Sequence, residues 1–139
     1  MIDFTINYSV APKQGDRSRI VRTKTGKQFV SHYTPANVRR NASTLALLMQ
    51  PYVPDKPLEG PLRLSLDFGY LWRTGTSLKV RTSGTKPKDT RPDWDNLCKN
   101  VCDVLQESGF FANDSQLAEV HVTKTWVGKS FLRVRLSPI

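Results

Sequence analysis

The sequence predicts a single α+β domain over residues 1–139, a mixed and largely antiparallel sheet of about five or six strands with two helices packed on it. Three observations carry this. Strand-like alternation with a period of two recurs at 2–10, at 62–68 and in two apolar runs near the end of the chain, whereas helical periodicity is confined to two segments, 34–50 and 94–106. The chain shows no internal repeat, and 139 residues are enough to bury one core without disulfides or structural metals.

The opening IDFTINYSV sets Ile2, Phe4, Ile6, Tyr8 and Val10 against polar neighbours, a half-buried strand. From Lys13 to Lys27 six basic residues meet one acid; TKTG in that stretch reads as the tip of a basic hairpin, with Gly26 free to take positive φ, and QFVSHY as its return strand. Thr34 as N-cap and Pro35 at the first helical position start a helix whose apolar face is Val38, Leu45, Leu48 and Met49. Pro51, Pro54 and Pro57 then make an extended linker, too short to separate domains. PLRLSLDFGYLW turns Leu62, Leu64, Leu66 and Phe68 inward and Arg63, Ser65 and Asp67 outward. Residues 72–91 lack apolar periodicity and read as a long basic loop, a length that in a compact domain points to function or disorder. A second helix runs from Trp94 to Gln106 with a core stripe of Leu97, Val101, Val104 and Leu105 and a stop at Gly109. FFANDSQ is a turn, and LAEVHVTKTWVG and SFLRVRLSPI are two strands joined around GKS.

With 21 Lys+Arg against 12 Asp+Glu the formal net charge is +9 and the pI about 9.9, which favours a polyanionic partner, nucleic acid first. No apolar run approaches the roughly 18 residues that cross a bilayer, and no signal peptide opens the chain, so a cytoplasmic protein is expected. Cys98 and Cys102, four apart, have no second Cys pair, and His32 and His121 are distant; they read as reduced packing residues rather than a zinc site.

Against this basic background the segment RPDWDNLCKNVCDVLQ concentrates acids. Asp95, Lys99 and Asp103 recur every four residues on the helix side away from the core stripe, Asp93 precedes the helix, and Asp114 lies in the loop that re-enters the sheet. Two readings stand at this point. In the structural one, Asp93 caps the helix, Asp95 complements its dipole and pairs with Lys99, and Asn113–Ser115 is turn chemistry. In the functional one, Asp93, Asp95 and Asp114 bind Mg²⁺, flanking Lys and Arg hold a phosphate backbone, and Lys99 neutralises charge on a phosphodiester undergoing hydrolysis. A calcium loop is a worse explanation, since its sixth position is Cys98 rather than Gly and its twelfth Val104 rather than Glu.

RPDWDNLCKNVCDVLQESGFFANDSQLAEV, residues 91–120, resembles the signature of the RusA-type Holliday junction resolvases, endodeoxyribonucleases of bacteria and their phages. The resemblance rests on an Asp-x-Asp-Asn start, a Lys four after the second Asp, an Asp four after that, and a Gly-Phe-aromatic turn into Asp-Ser-Gln, all without a gap. The rest of the chain matches more loosely in order of elements: an early strand ending at Pro12, a basic hairpin, a helix, a strand, then the signature. It implies a RusA-like fold, metal-binding catalytic carboxylates at Asp93, Asp95 and Asp114, a catalytic lysine at Lys99, support from Asn96 and Asp103, and Mg²⁺ as cofactor with Mn²⁺ substituting. It also implies a homodimer whose two sites nick a four-way DNA junction symmetrically in recombination and repair.

The 72–91 segment is longer than that family's compact members lead one to expect. Arg73, Lys79, Arg81, Lys86, Lys88 and Arg91 in it are expected to wrap a DNA arm, and Lys13, Arg17, Arg19, Arg22, Lys24 and Lys27 of the hairpin to make a second DNA contact. Trp94, Phe110 and Phe111 are expected in the core rather than as base-stacking wedges. A broader nuclease of flaps and forks, or a non-enzymatic binder of branched DNA, are the competing functions; the complete acid and lysine set weighs against the binder, because clustered carboxylates repel phosphate.

Overall fold

The computed structural model describes residues 1–11, 17–33 and 36–139. Lys13 and the helix start expected at Thr34–Pro35 lie outside them, as does the strand end at Pro12.

Five strands form one sheet in the order β1 (Ile2–Ile6), β7 (Phe131–Pro138), β4 (Leu62–Leu71), β6 (Leu117–Val127), β5 (Lys86–Pro87). Every neighbouring pair is antiparallel except β4 and β6, which run parallel from Leu62↔Leu117 to Leu71↔Val127. A parallel pair needs a long crossover; here it runs from residue 72 to 116 and contains helix α3 (Trp94–Ser108). α1 (Ala36–Met49) packs against α3.

Alternation decides which face the helices cover. Phe4 and Ile6, Leu62 to Phe68 on even numbers, and Leu132, Val134 and Leu136 are buried, together with Leu97, Val101, Val104 and Leu105 of α3 and Phe110 and Phe111 after it. Burying apolar surface at about 25 cal/mol per Å² is what holds these layers together. The odd-numbered residues point to the other face, which is mostly polar and mostly exposed or half-buried. Gly109 ends α3 in the left-handed region (φ 93°) and returns its N–H to the Gln106 carbonyl, as expected of a glycine stop. On α1, Val38, Leu45 and Met49 are buried but Leu48 is 37 % exposed, and Asn41 takes the interior place instead, accepting from the Tyr8 hydroxyl at 2.7 Å and donating to the Ala11 carbonyl at 3.3 Å.

One feature departs from the expectation, and another supplies the strand order that the sequence left open. Residues 72–91 are not one structureless loop: they hold a short helix, α2 (Leu78–Thr82), capped by the Ser77 hydroxyl, and β5, which adds an antiparallel edge to β6. And although GKS joins β6 to β7 directly, β4 lies between them. The link passes over the end of β4, where Leu71 N–H donates to Ser130 Oγ (3.2 Å) and Trp72 N–H to the Val127 carbonyl (3.1 Å). Gly69 is required just below: a Cβ there would stand 2.4 Å from the Phe131 ring.

The expected basic hairpin exists as a separate two-stranded ribbon, β2 (Arg17–Arg22) and β3 (Gln28–Tyr33), with Gly26 at φ 83° in its turn. It lies outside the main sheet. Ile20 (74 % exposed) and Val30 (59 %) face each other on one of its surfaces.

Candidate active site

α3 opens on Asp93-Trp94-Asp95. Asp93 is the N-cap residue by backbone conformation (φ −69°, ψ 139°), and its carbonyl accepts the first helical bond from Leu97 N–H at 3.2 Å, yet its carboxylate makes no cap bond. An N-cap aspartate ordinarily spends its side-chain oxygen on an orphan N–H of the first turn; this one is exposed and unspent. Asp95, in the first turn, and Lys99, one turn on, are exposed as well, and no ion pair joins them. The structural reading required both contacts. The helix dipole alone favours carboxylates at this end. Trp94, expected in the core, is 59 % exposed between the two acids, because the core stripe begins only at Leu97. Asn96 is exposed in the same turn and Asp103 half-buried two turns further.

Asp114 is brought back to α3 by amides that the periodicity gives no sign of. Its N–H donates to Gln106 Oε1 at 2.8 Å, fastening the 3-10 turn Asp114–Gln116 to the last turns of the helix. Asn113 caps that turn by accepting from Ser115 N–H (2.9 Å), while Gln116 Oε1 accepts from the N–H groups of Ala112 and Asn113 and Gln116 Nε2 donates to the carbonyls of Leu58 and Gly60. The Asn-Asp-Ser-Gln sequence is thus a closed hydrogen-bonded clip that presents the Asp114 carboxylate beside the helix.

Asp114 stands at the level of Asp103 rather than of Asp93. Its charge and that of Asp103 add to the rise in the Cys102 thiol, which is driven first by the hydrogen bond with Cys98 and then by burial. Cys98 is held low by the same bond, against burial and the charge of Asp95. The two sulfurs are 3.8 Å apart, free thiols on the packed side of α3, as expected of packing residues. Among the described residues no three acids, histidines or cysteines are gathered closely enough to enclose a metal ion. The donor chemistry nevertheless fits a hard divalent cation: Asp93, Asp95 and Asp114 offer carboxylate oxygens that accept no hydrogen bond and pair with no base among the described residues. Magnesium is usually held by one or two carboxylates, waters and substrate phosphate rather than by a complete protein cage.

The segment leading into Asp93 is held from the sheet. Lys124 on β6 donates from Nζ to the carbonyls of Thr90 and Pro92, both at 2.8 Å. Lys88 donates its N–H to the Lys124 carbonyl (2.9 Å) and its Nζ to Thr90 Oγ1 (2.7 Å), with the ammonium 3.8 Å from the centre of the Trp126 ring and 5.3 Å from that of Tyr70. Lys88 is only 8 % exposed, and burial, then Lys124 and Arg73, hold its pKa below the ordinary lysine value. It therefore leaves the set of DNA-facing cations. Arg73 stacks over Trp126 at 5.4 Å, while Lys79 and Arg81 on α2, Lys86 on β5 and Arg91 before α3 are exposed. On the ribbon Arg19 (5.4 Å from the Tyr33 ring), Arg22, Lys24 and Lys27 are exposed, and Arg17 begins β2. Lys124 carried no signal in the sequence, being one of many basic residues at an alternating position.

The sequence profile of the family described as Endodeoxyribonuclease RusA matches residues 9–137. A protein named crossover junction endodeoxyribonuclease rusA, from Lactococcus phage r1t, is 27 % identical over 142 residues, spanning 99 % of this chain and 98 % of that one.

Proposed function

Because this chain belongs to the RusA endodeoxyribonuclease family, we propose that Asp93, Asp95 and Asp114 hold its metal ion and that Lys99 faces the scissile phosphate. The protein is an endodeoxyribonuclease of the junction-resolving kind, acting on DNA phosphodiester bonds. The family's nucleases depend on a metal ion; Mg²⁺ is the cation proposed here, with Mn²⁺ able to replace it.

The observation that carries the site assignment is the pair of unspent carboxylates at the start of α3, one turn from Lys99, on a chain of net charge +9. When bound, the metal supplies an acidified water and a polarised phosphoryl oxygen. Asp93 and Asp95 would hold and orient it, Asp114, fastened further along α3, would be the third carboxylate of the set, and the Lys99 ammonium would neutralise charge building on a non-bridging oxygen in the transition state. Asn96 and Asp103 support that shell. Arg91, Arg73, Lys79, Arg81 and Lys86 track one DNA arm by its phosphates. The ribbon offers a second contact: Arg17, Arg19, Arg22, Lys24 and Lys27 lie on it with no acid among residues 17–33, and a two-stranded ribbon fits the major groove.

A homodimer completes the proposal, since a four-way junction has two scissile phosphates related by a two-fold axis and an isologous pair presents one site to each. Among the described residues no helix is long and apolar enough to cross a membrane; the compartment proposed, on the ground of a DNA substrate, is a bacterial cytoplasm, the host's or an infected cell's.

The test is cleavage of a synthetic four-way junction with Mg²⁺ and with EDTA, beside linear duplex, flap and fork. Paired symmetric nicks that need metal and favour the junction are expected. Equal cutting of flaps points to a broader branched-DNA nuclease, and tight binding without cutting in Mg²⁺ or Mn²⁺ sinks the enzymatic site.

A further inference from the structure

Lys124 lies on β6 opposite Phe68 of β4, on the helix-covered face where its neighbours at alternate positions, Val122 and Trp126, pack against the core. A lysine on such a face must hydrogen-bond its ammonium or leave a desolvated charge. It does so with two main-chain carbonyls, Thr90 and Pro92, the second belonging to the residue before Asp93. Such an arrangement is costly for its location: the N-terminus of α3 is the positive end of the helix dipole, where a cation is disfavoured and a carboxylate favoured. The sheet nevertheless sends a cation there, and Lys88 braces the same turn through Thr90 Oγ1.

We propose that Lys124 is a positioning residue of the nuclease site: by clamping the Thr90–Pro92 backbone to β6 it sets the direction in which Asp93 and Asp95 leave the start of α3, and so the geometry in which they take a divalent cation. This rests on the reading of Asp93 and Asp95 as metal ligands. The clamp supplies from the sheet what α3 lacks at this end, because the Asp93 carboxylate makes no cap bond of its own and leaves the entry unfastened. Groups that orient metal-ligating side chains typically matter by about 10- to 100-fold in metal affinity or activity.

The experiment compares Lys124→Met and Lys124→Arg with the parent in three measurements: Mn²⁺ affinity without DNA, by calorimetry or by the fluorescence of exposed Trp94; junction affinity in EDTA; and the metal concentration giving half-maximal junction cleavage. Lys124→Met is expected to bind Mn²⁺ about 10-fold or more weakly and to need correspondingly more metal for cleavage. Its junction affinity in EDTA should stay within about two-fold of the parent, and Lys124→Arg, which can still donate to both carbonyls, should recover most of the loss. Parent-like Mn²⁺ affinity in Lys124→Met overturns the proposal. So does unchanged Mn²⁺ affinity with weakened junction binding in EDTA, which would make Lys124 a DNA contact. Where Lys124→Met does not fold, Lys124→Gln, whose amide is uncharged and one atom shorter than the lysine arm, takes its place with the same outcomes. Asp95→Asn run alongside separates the two levels: if it still cleaves, the ligand assignment itself fails, whereas loss of cleavage in Asp95→Asn with a parent-like Lys124→Met removes only the clamp.

Discussion

On the open face of the sheet Asp3 receives Arg133 (2.9 Å), Asp67 receives Arg135 (3.0 Å) and Thr123 (2.7 Å), and Glu119 receives Arg63. At the start of α3, Asp93 and Asp95 receive nothing from the described residues, although Lys99 is one turn away. The first set follows from strand register. Residues opposite one another across a pleated pair share a face, so acids and arginines at odd positions of β1, β7, β4 and β6 meet and neutralise one another. In the second set the helix brings Asp95 within one turn of Lys99, yet no ion pair forms, and the carboxylates of Asp93 and Asp95 stay exposed. Single acids without a partner among the described residues, such as Asp55 and Glu107, need no explanation; two in three residues at a helix start, on a basic chain, leave negative charge available to a cation from outside.

The sharpest way to break this contrast is to neutralise one acid from each region. Asp93→Asn or Asp95→Asn should lower metal-dependent junction cleavage by about 10³-fold or more, since metal-assisted charge stabilisation is worth several kcal/mol. Both variants should melt close to the parent temperature, because no hydrogen bond or ion pair with a described residue is lost and only the helix-dipole contribution, at most about 1 kcal/mol, is given up, and added Mg²⁺ should raise the melting temperature of the parent more than theirs. A destabilisation well beyond that contribution in both would make them structural caps. Lys99→Met comes next: about 10²-fold slower cleavage with junction affinity nearly kept, measured by single-turnover kinetics, as for removal of one donor to a developing oxyanion. Parent-like turnover would remove Lys99 from the site.

Arg19→Gln with Arg22→Gln tests the ribbon. Each lost phosphate contact should flatten the slope of log affinity against log salt by about 0.9, with an effect on binding in EDTA as in Mg²⁺. An unchanged slope would assign the ribbon another partner. From the sheet side, Asp67→Ala should leave cleavage intact and cost about 1 to 2 kcal/mol in a denaturant titration, because it strands the half-buried Arg135 guanidinium, whose Nε already has no partner among the described residues.

The smallest effect belongs to the exposed pairs. Hydrogen bonds from Arg133 and Arg63 hold the Asp3 and Glu119 carboxyls below their ordinary values. A depressed folded-state pKa contributes stability present above the unfolded value and lost as pH falls through the folded one, so these pairs weaken only below about pH 4. Both acids are solvent-exposed, and Glu119→Gln should leave the melting temperature at neutral pH unchanged within error while slightly flattening its acid-side decline.

Elements whose signal is local were legible. The 3.6-residue stripe of α3, the glycine that stops it, the alternation of β4 and the turn glycine of the ribbon each follow from a few adjacent residues and reappear at the expected places. The four-residue rhythm of Asp95, Lys99 and Asp103 likewise puts them on one side of a helix whatever surrounds it. Trp94 and Leu48 were misplaced by the same reasoning, since the ends and margins of an apolar face depend on how far the neighbouring layer extends.

What periodicity cannot carry is who sits next to whom. A period of two says which side chains share a face, not that β4 separates β6 from β7, nor that residues 86–87 extend the sheet beside β6. The return of Asp114 to α3 depends on Gln106 and Gln116, and the fastening of Asp93 on Lys124, a residue 32 positions from the carbonyl it holds. Sequence by itself therefore determined the longer elements but not α2 or β5, together with the basic charge and the residue types of the site, because those are set by local sterics, hydrophobic period and composition. Only tertiary structure decided which lysine is buried, which acids are neutralised and which are left free, because pairing across a sheet and burial against another layer join residues that no local pattern connects.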